Sequence, residues 1–185
     1  VGEHEFGDML GRLREFTTAL ELVEPEGLRW WHRVMPGESH ASVVHRSVYD
    51  ALESIFSDYR ISGLQLGMWD AANAEAHFAQ ASESYGYQMA VPEQLLNTMG
   101  YIQLGMRQRP EEAVALFRRN IELYPGSANV YDSLADGLEE AGILGEALEN
   151  REVAVRRAEE IGDSRLALFR SKRDALRGKL AAAGG

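Results

Sequence analysis

The chain has 185 residues, 19 of them Lys or Arg and 29 Asp or Glu, for a net charge of −10, and it has no cysteine. That length holds one ordinary domain, or a small domain and part of another, and 45% apolar residues can fill a core. An acidic chain repels nucleic-acid phosphate and anionic membrane, so neither is an expected partner. The lack of cysteine excludes disulfides, thiolate zinc sites and cysteine nucleophiles. No apolar run approaches the ~18 residues of a membrane span. The chain begins at Val1 with no charged and apolar leader behind it, which leads us to expect a piece of a longer protein. The charge is uneven: residues 151–185 hold nine basic and five acidic residues, net +4, against −14 for residues 1–150. We expect the basic end to be a solvated helix rather than a segment held against the acidic body, because surface ion pairs contribute little.

In chain order, Met9, Leu10, Leu13, Phe16, Leu20 and Val23 fall near a 3.6-residue period and predict a helix over 7–23, broken by Pro25-Glu26-Gly27. Leu28 to Met35, with Trp30, Trp31 and Val34, reads as a strand ended by Pro36-Gly37. Ser42 is a candidate cap for a helix over 43–59 carrying Val44, Val48, Leu52, Ile55 and Phe56. A lone strand cannot satisfy its own backbone, so this helix–strand–helix segment predicts a slice of a parallel α/β sheet whose other strands lie outside it. From Trp69 onward no strand is expected. Helices are predicted at about 70–85, 93–105, 111–124, 127–141, 145–160 and 164–182, separated by glycine and proline turns and folded into antiparallel hairpins.

The helical part repeats itself. Ala113 and Ala147 are 34 residues apart, as are Leu104 and Leu138. Tyr131, Leu134, Ala135, Leu138, Ala147 and Ala154 in one unit, and Gly100, Ala113, Phe117 and Pro125 in the preceding one, resemble the tetratricopeptide repeat (TPR), with Arg151 where that pattern has an aromatic residue. The resemblance implies paired helices that approach closely at small residues, and a last helix with Arg170, Lys172, Arg173 and Arg177 as the polar cap. It also implies a concave surface for a peptide or partner protein, on which Asn97, Gln103, Asn129 and Asp132 are the candidate lining residues.

The most suggestive local string is Met35-Pro36-Gly37-Glu38-Ser39-His40-Ala41-Ser42. A histidine just past a strand and before a helix is where α/β-hydrolases place the triad base, which must reach a serine hydroxyl while a carboxylate orients its other nitrogen. Gly37 to Val43, followed by Ser47 to Leu52 and Phe56, resembles the C-terminal end of an esterase family that includes esterase D-like and siderophore (enterochelin-type) esterases. Its members are serine hydrolases of the α/β-hydrolase fold with the triad histidine in a Glu-x-His-x-Ser context, and some bacterial members continue into helical repeats. Leu96 to Tyr101 and Asn120 to Leu134 look like that extension, so the resemblance runs from about residue 6 to 160. It implies that His40 is the general base, and it places the acid near the end of the preceding strand, where Glu3 and Glu5 are the candidates. Asp8 reads instead as a first-turn partner of the helix dipole.

The sequence contains no Gly-x-Ser-x-Gly elbow, so a nucleophile would lie upstream of Val1 and the chain alone is expected to be inactive. His4, His32, His45 and His77 share no ligand spacing, and no metal or cofactor is expected. Gly162-Asp163-Ser164 reads as a helix break with Asp163 or Ser164 as cap. The expected fold is mostly α: residues 1–60 the C-terminal end of a truncated α/β-hydrolase domain, residues 61–185 a TPR-like helical repeat with a capping helix. The expected function is that of a C-terminal esterase fragment, acting in the full-length protein on a small ester and carrying a protein-interaction module. A non-catalytic TPR-like scaffold is the alternative. Cytoplasm is the default location.

Overall fold

The first helix stops where its sequence requires. Glu24 turns into the left-handed region (φ 44°), its N–H closes on the Leu20 carbonyl at 3.0 Å, and Pro25 follows. In a computed structural model of the chain, which describes residues 2–4 and 7–183, the elements are β1 (Gly2–His4), α1 (Met9–Val23), β2 (Met35–Ser39), α2 (Val43–Ile55), α3 (Gly63–Met68), α4 (Ala71–Tyr85), α5 (Glu93–Tyr101), α6 (Pro110–Leu123), α7 (Ala128–Glu140), α8 (Leu144–Ile161) and α9 (Leu166–Ala183). Short 3-10 and π segments lie at Ser57–Tyr59 and Ile102–Met106. The described chain is thus mostly helical, and it divides into two compact units, Val1–Ser57 and Asp58–Gly185.

In the first unit the strand is not where the apolar run suggested. Residues 28–34 form no strand, and β2 begins at Met35 and runs through Pro36-Gly37 instead of ending there. A strand exists only where a neighbour completes its ladder, and here that neighbour is the three-residue β1, which the sequence reading did not foresee. The two strands are parallel, so β1–α1–β2 is a βαβ crossover. Gly2 pairs with Met35 and His4 with Ser39: β2 advances four residues while β1 advances two, and Gly37 at φ 75° takes up the excess as a bulge. Met35 and Val43 are buried, whereas Val44, Val48, Leu52, Ile55 and Phe56 of the α2 region are about half exposed.

The second unit has three apolar clusters. Ala74, Phe78, Leu96, Met99 and Leu116 join α4, α5 and α6; Ala113, Phe117, Leu134, Leu138, Ala147 and Leu176 join α6 to α9; Ala128, Val155, Ala158 and Phe169 close the end. From α5 to α9 each helix packs on its successor. Helix α3, absent from the sequence reading, is held by a capping box in which the Ser62 hydroxyl accepts the Gln65 N–H and Gln65 Oε1 accepts the Ser62 N–H at 2.7 Å. Asp70 and Asn73 form the same device at the start of α4.

Two further expectations change. The helix read over 93–105 ends at Tyr101 and continues as the π segment, leaving Gln108 at φ 52° before Pro110 restarts the helix. The basic end is solvated only in part: Arg170, Arg177 and Lys179 stay exposed, but each of them, and the more covered Lys172, reaches a carboxylate of another helix. Arg170 pairs with Glu159 at 2.7 Å, Lys172 with Asp132 at 2.8 Å, Arg177 with Glu152 at 2.6 Å and Lys179 with Glu139 at 3.3 Å. Phe169 and Leu176 anchor α9 in the core, and this anchoring brings its cations within reach of the carboxylates of α7 and α8.

Candidate functional site

His40 stands in the turn between β2 and α2, exposed to solvent. The turn is pinned on both sides of it. Glu38 Oε1 accepts from Arg46 Nη1 at 3.0 Å, and the Ser39 N–H donates to Ser42 Oγ at 2.9 Å. Hydrogen bonding from Ser42 and then from Arg46 holds the Glu38 carboxyl below the ordinary glutamate range. Ser42 occupies the cap position of α2, but its hydroxyl faces Ser39 and makes no bond to the helix N–H groups, so the capping expected of it is replaced by closure of the turn. Of the two acid candidates, Glu5 lies outside the described residues, and for Glu3 only the backbone position within β1 is described. The last residues of the two strands, His4 and Ser39, are register partners, so His40 follows directly on the paired strand ends.

The second unit carries a more developed polar constellation. Arg151, 2% exposed, pairs with Asp132 and with Asp136, donates to Glu139 Oε1 at 2.7 Å and reaches the Asp132 carbonyl at 3.0 Å. Lys172 contacts Asp132 at 2.8 Å and Asp136 at 3.0 Å. The Tyr101 hydroxyl donates to Asp136 Oδ2 at 2.7 Å and accepts from the Ser133 hydroxyl at 3.2 Å. Asp132, Asp136 and Glu139 lie one turn apart on α7, so a single helix face supplies all three carboxylates. Burial alone would push Asp136 up, but the hydrogen bond and charge of Arg151, with Tyr101 and Lys172, hold it below the ordinary aspartate value. Burial also raises the Tyr101 hydroxyl far above the usual tyrosine range. Over this network opens a cavity of about 580 Å³ lined by Tyr101, Leu104, Asp136, Lys172 and Leu176.

The sequence-selected lining residues are distributed differently. Asp132 is buried under Arg151 and Lys172. Asn129 donates to Glu93 at 3.3 Å and accepts from Arg165 at 2.7 Å. Asn97 is buried in α5. Gln103 is buried too, donates to the Gly67 carbonyl at 3.1 Å, and lines a separate cavity. Sequence reasoning missed Tyr101, Asp136, Arg151 and Lys172 as a group. The signal was present in the i, i+4, i+7 carboxylates of α7 and in a lone arginine at the apolar position Arg151.

Among the described residues no group of three His, Asp or Glu side chains could hold a metal ion, and no helix is long and apolar enough to cross a membrane. No protein-family model matches the chain, and searches of the curated proteins and of the solved structures found no match either.

Proposed function

We propose that residues 1–57 are the closing segment of an esterase of the α/β-hydrolase fold and that His40 is its general base. The observation that supports this reading is the place of His40: directly after a parallel strand, at the end where that strand pairs with β1, in a turn held by Glu38–Arg46 and Ser39–Ser42. In that role the imidazole takes the proton of a serine hydroxyl as it attacks the ester carbonyl, and returns it to the departing alkoxide. It then takes a proton from water as the acyl-enzyme is hydrolysed. A carboxylate at Glu3 or Glu5 would orient it. The nucleophile is supplied by sequence outside this chain. The test is hydrolysis of p-nitrophenyl acetate by the natural protein. Activity that is lost on His40→Ala with the fold unchanged supports the proposal. Full activity in that variant, or coding sequence upstream with no Gly-x-Ser-x-Gly elbow, ends it.

The groove over Tyr101, Asp136 and Lys172 favours a second reading, in which residues 58–185 are a TPR-like module that binds a peptide or partner subunit. Retention of a specific partner by the chain, abolished by Lys172→Glu, is the expected result.

A further inference from the structure

The π segment Ile102–Met106 places two side chains where an α-helix would not. The Arg107 N–H closes on the Ile102 carbonyl at 3.2 Å and the Arg109 N–H on the Gln103 carbonyl at 2.9 Å, and Gln108 follows the turn in the left-handed region. As a result Gln103 and Arg107 converge on Gly67 at the end of α3. Gln103 Nε2 donates to the Gly67 carbonyl at 3.1 Å, and the Arg107 guanidinium lies so close that a Cβ on Gly67 would stand 3.3 Å from Nη2. The two side chains border a cavity of about 320 Å³ whose apolar side is formed by Met68, Trp69, Ala71 and Leu116.

The polar groups of this cavity are unequally satisfied. Gln103 is 5% exposed, and its Oε1 is buried with no hydrogen-bond partner. The donation from Nε2 to a carbonyl fixes which end of the amide is which, so Oε1 remains an acceptor in need of a donor. Of the charged residues on the cavity, Asp70 is committed to the α4 cap, accepting the Asn73 N–H at 2.8 Å, and Glu112 faces Arg109 at 3.7 Å. The Arg107 guanidinium has no ion-pair or hydrogen-bond partner among the described residues, so its charge is uncompensated. A buried polar atom left unmatched is costly, and native structures keep few of them.

We infer that this cavity binds an apolar amino acid with a free carboxylate, as in an N-acyl amino acid or the carboxyl end of a peptide: the carboxylate on Arg107 and the apolar side chain against Trp69 and Leu116. The carboxylate matches the forked donors of a guanidinium. The volume is at the small end of ligand pockets, ~300–1,000 Å³, which suits one such residue rather than a long segment. The site is separate from the groove over Arg151 and from the His40 turn, and does not depend on either functional reading.

The test is titration of the full chain with N-acetyl-leucine, N-acetyl-leucinamide and a pentapeptide ending in leucine, read by calorimetry and by the Trp69 indole N–H resonance. The acid is expected to bind with a shift at Trp69, the amide to bind roughly tenfold or more weakly, and Arg107→Gln to remove that preference. Tighter binding of the pentapeptide identifies a peptide end as the source; its exclusion identifies the free N-acyl amino acid. Arg107 is exposed and holds no contact that the fold needs, so Arg107→Gln remains informative if Gln103→Met fails to fold. Equal affinity for acid and amide, saturable binding that leaves Trp69 unmoved, no saturable binding at millimolar probe, or an unchanged affinity in Arg107→Gln each overturns the inference.

Discussion

Phe117 lays its ring against the backbone of Gly100, so closely that a Cβ at residue 100 would overlap the ring. The other edge of the ring meets Gly137, where a Cβ would stand 3.2 Å away. One aromatic side chain of α6 therefore sets how closely α5 and α7 approach. Gly100→Ala is expected to destabilise the second unit by about 1–3 kcal/mol through overpacking, despite a gain of about 1 kcal/mol in helix propensity. Gly137→Ala should cost less, because its contacts need yield only slightly. Urea unfolding of the two variants checks the order; a Gly100→Ala protein as stable as the parent would show that the ring has room to move.

Arg151 is the hub of the buried network, and its removal strands Asp132 and Asp136. Arg151→Met is expected to cost about 3–5 kcal/mol, the penalty of an uncompensated buried charge. Arg151→Lys should restore little of it, since a single ammonium cannot span three carboxylates on one helix face. Loss of a peripheral pair gives the contrast: Arg177→Gln, which breaks the contact with Glu152, should change stability by less than about 1 kcal/mol. Denaturation midpoints of the three variants on one scale test both statements.

The same network predicts an acid response. Asp136 is held below its ordinary value of 3.8 because, against the upward push of burial, Arg151, Tyr101 and Lys172 favour the carboxylate. A carboxyl depressed in the folded state contributes stability that is fully present above the unfolded pKa and is lost as pH falls through the folded one. The unfolding free energy of the second unit should therefore decline as pH drops below 3.8, and Asp136→Asn should be less stable at neutral pH and show a shallower acid limb. Unfolding curves between neutral pH and the acid limb decide it; parallel limbs in parent and variant would remove Asp136 from the response.

Helix α3 has only six residues, too few to hold themselves by propagation alone. Its capping box is then a main local support, and Ser62→Ala should cost about 1 kcal/mol. Hydrogen exchange should quicken at residues 63–68 well before it changes in α7. Equal exchange in parent and variant would mean that packing, not the cap, fixes the helix.

The elements that the sequence disclosed are those that depend on neighbours in the chain. The 3.6-residue spacing of apolar side chains marked α1, α2 and α4 to α9 within a few residues, since a helix closes its hydrogen bonds internally and needs only one apolar face. The strand was misplaced for the converse reason. Residues 28–34 have the composition of a strand, but a strand's partner is chosen from elsewhere in the chain, and here β1 offers three residues opposite Met35–Ser39. For the candidate sites, His40 was legible because a short string fixed both the turn and its neighbours. Gln103 was singled out as polar lining, but only the π segment shows that it turns to Gly67 rather than toward Asp132.

By itself, then, the amino-acid sequence determined the mostly helical character, the turns, and the small residues at Gly100, Ala113 and Ala147 that let helices meet. The tertiary structure alone decided what the charges do. The cations of α9 read as a solvated face in one dimension, yet the anchoring of Phe169 and Leu176 lays Lys172 over Asp132 and Asp136 beside the buried Arg151. Electrostatic pairing follows distance in space, and between residues 40 positions apart that distance is set by packing rather than by spacing along the chain.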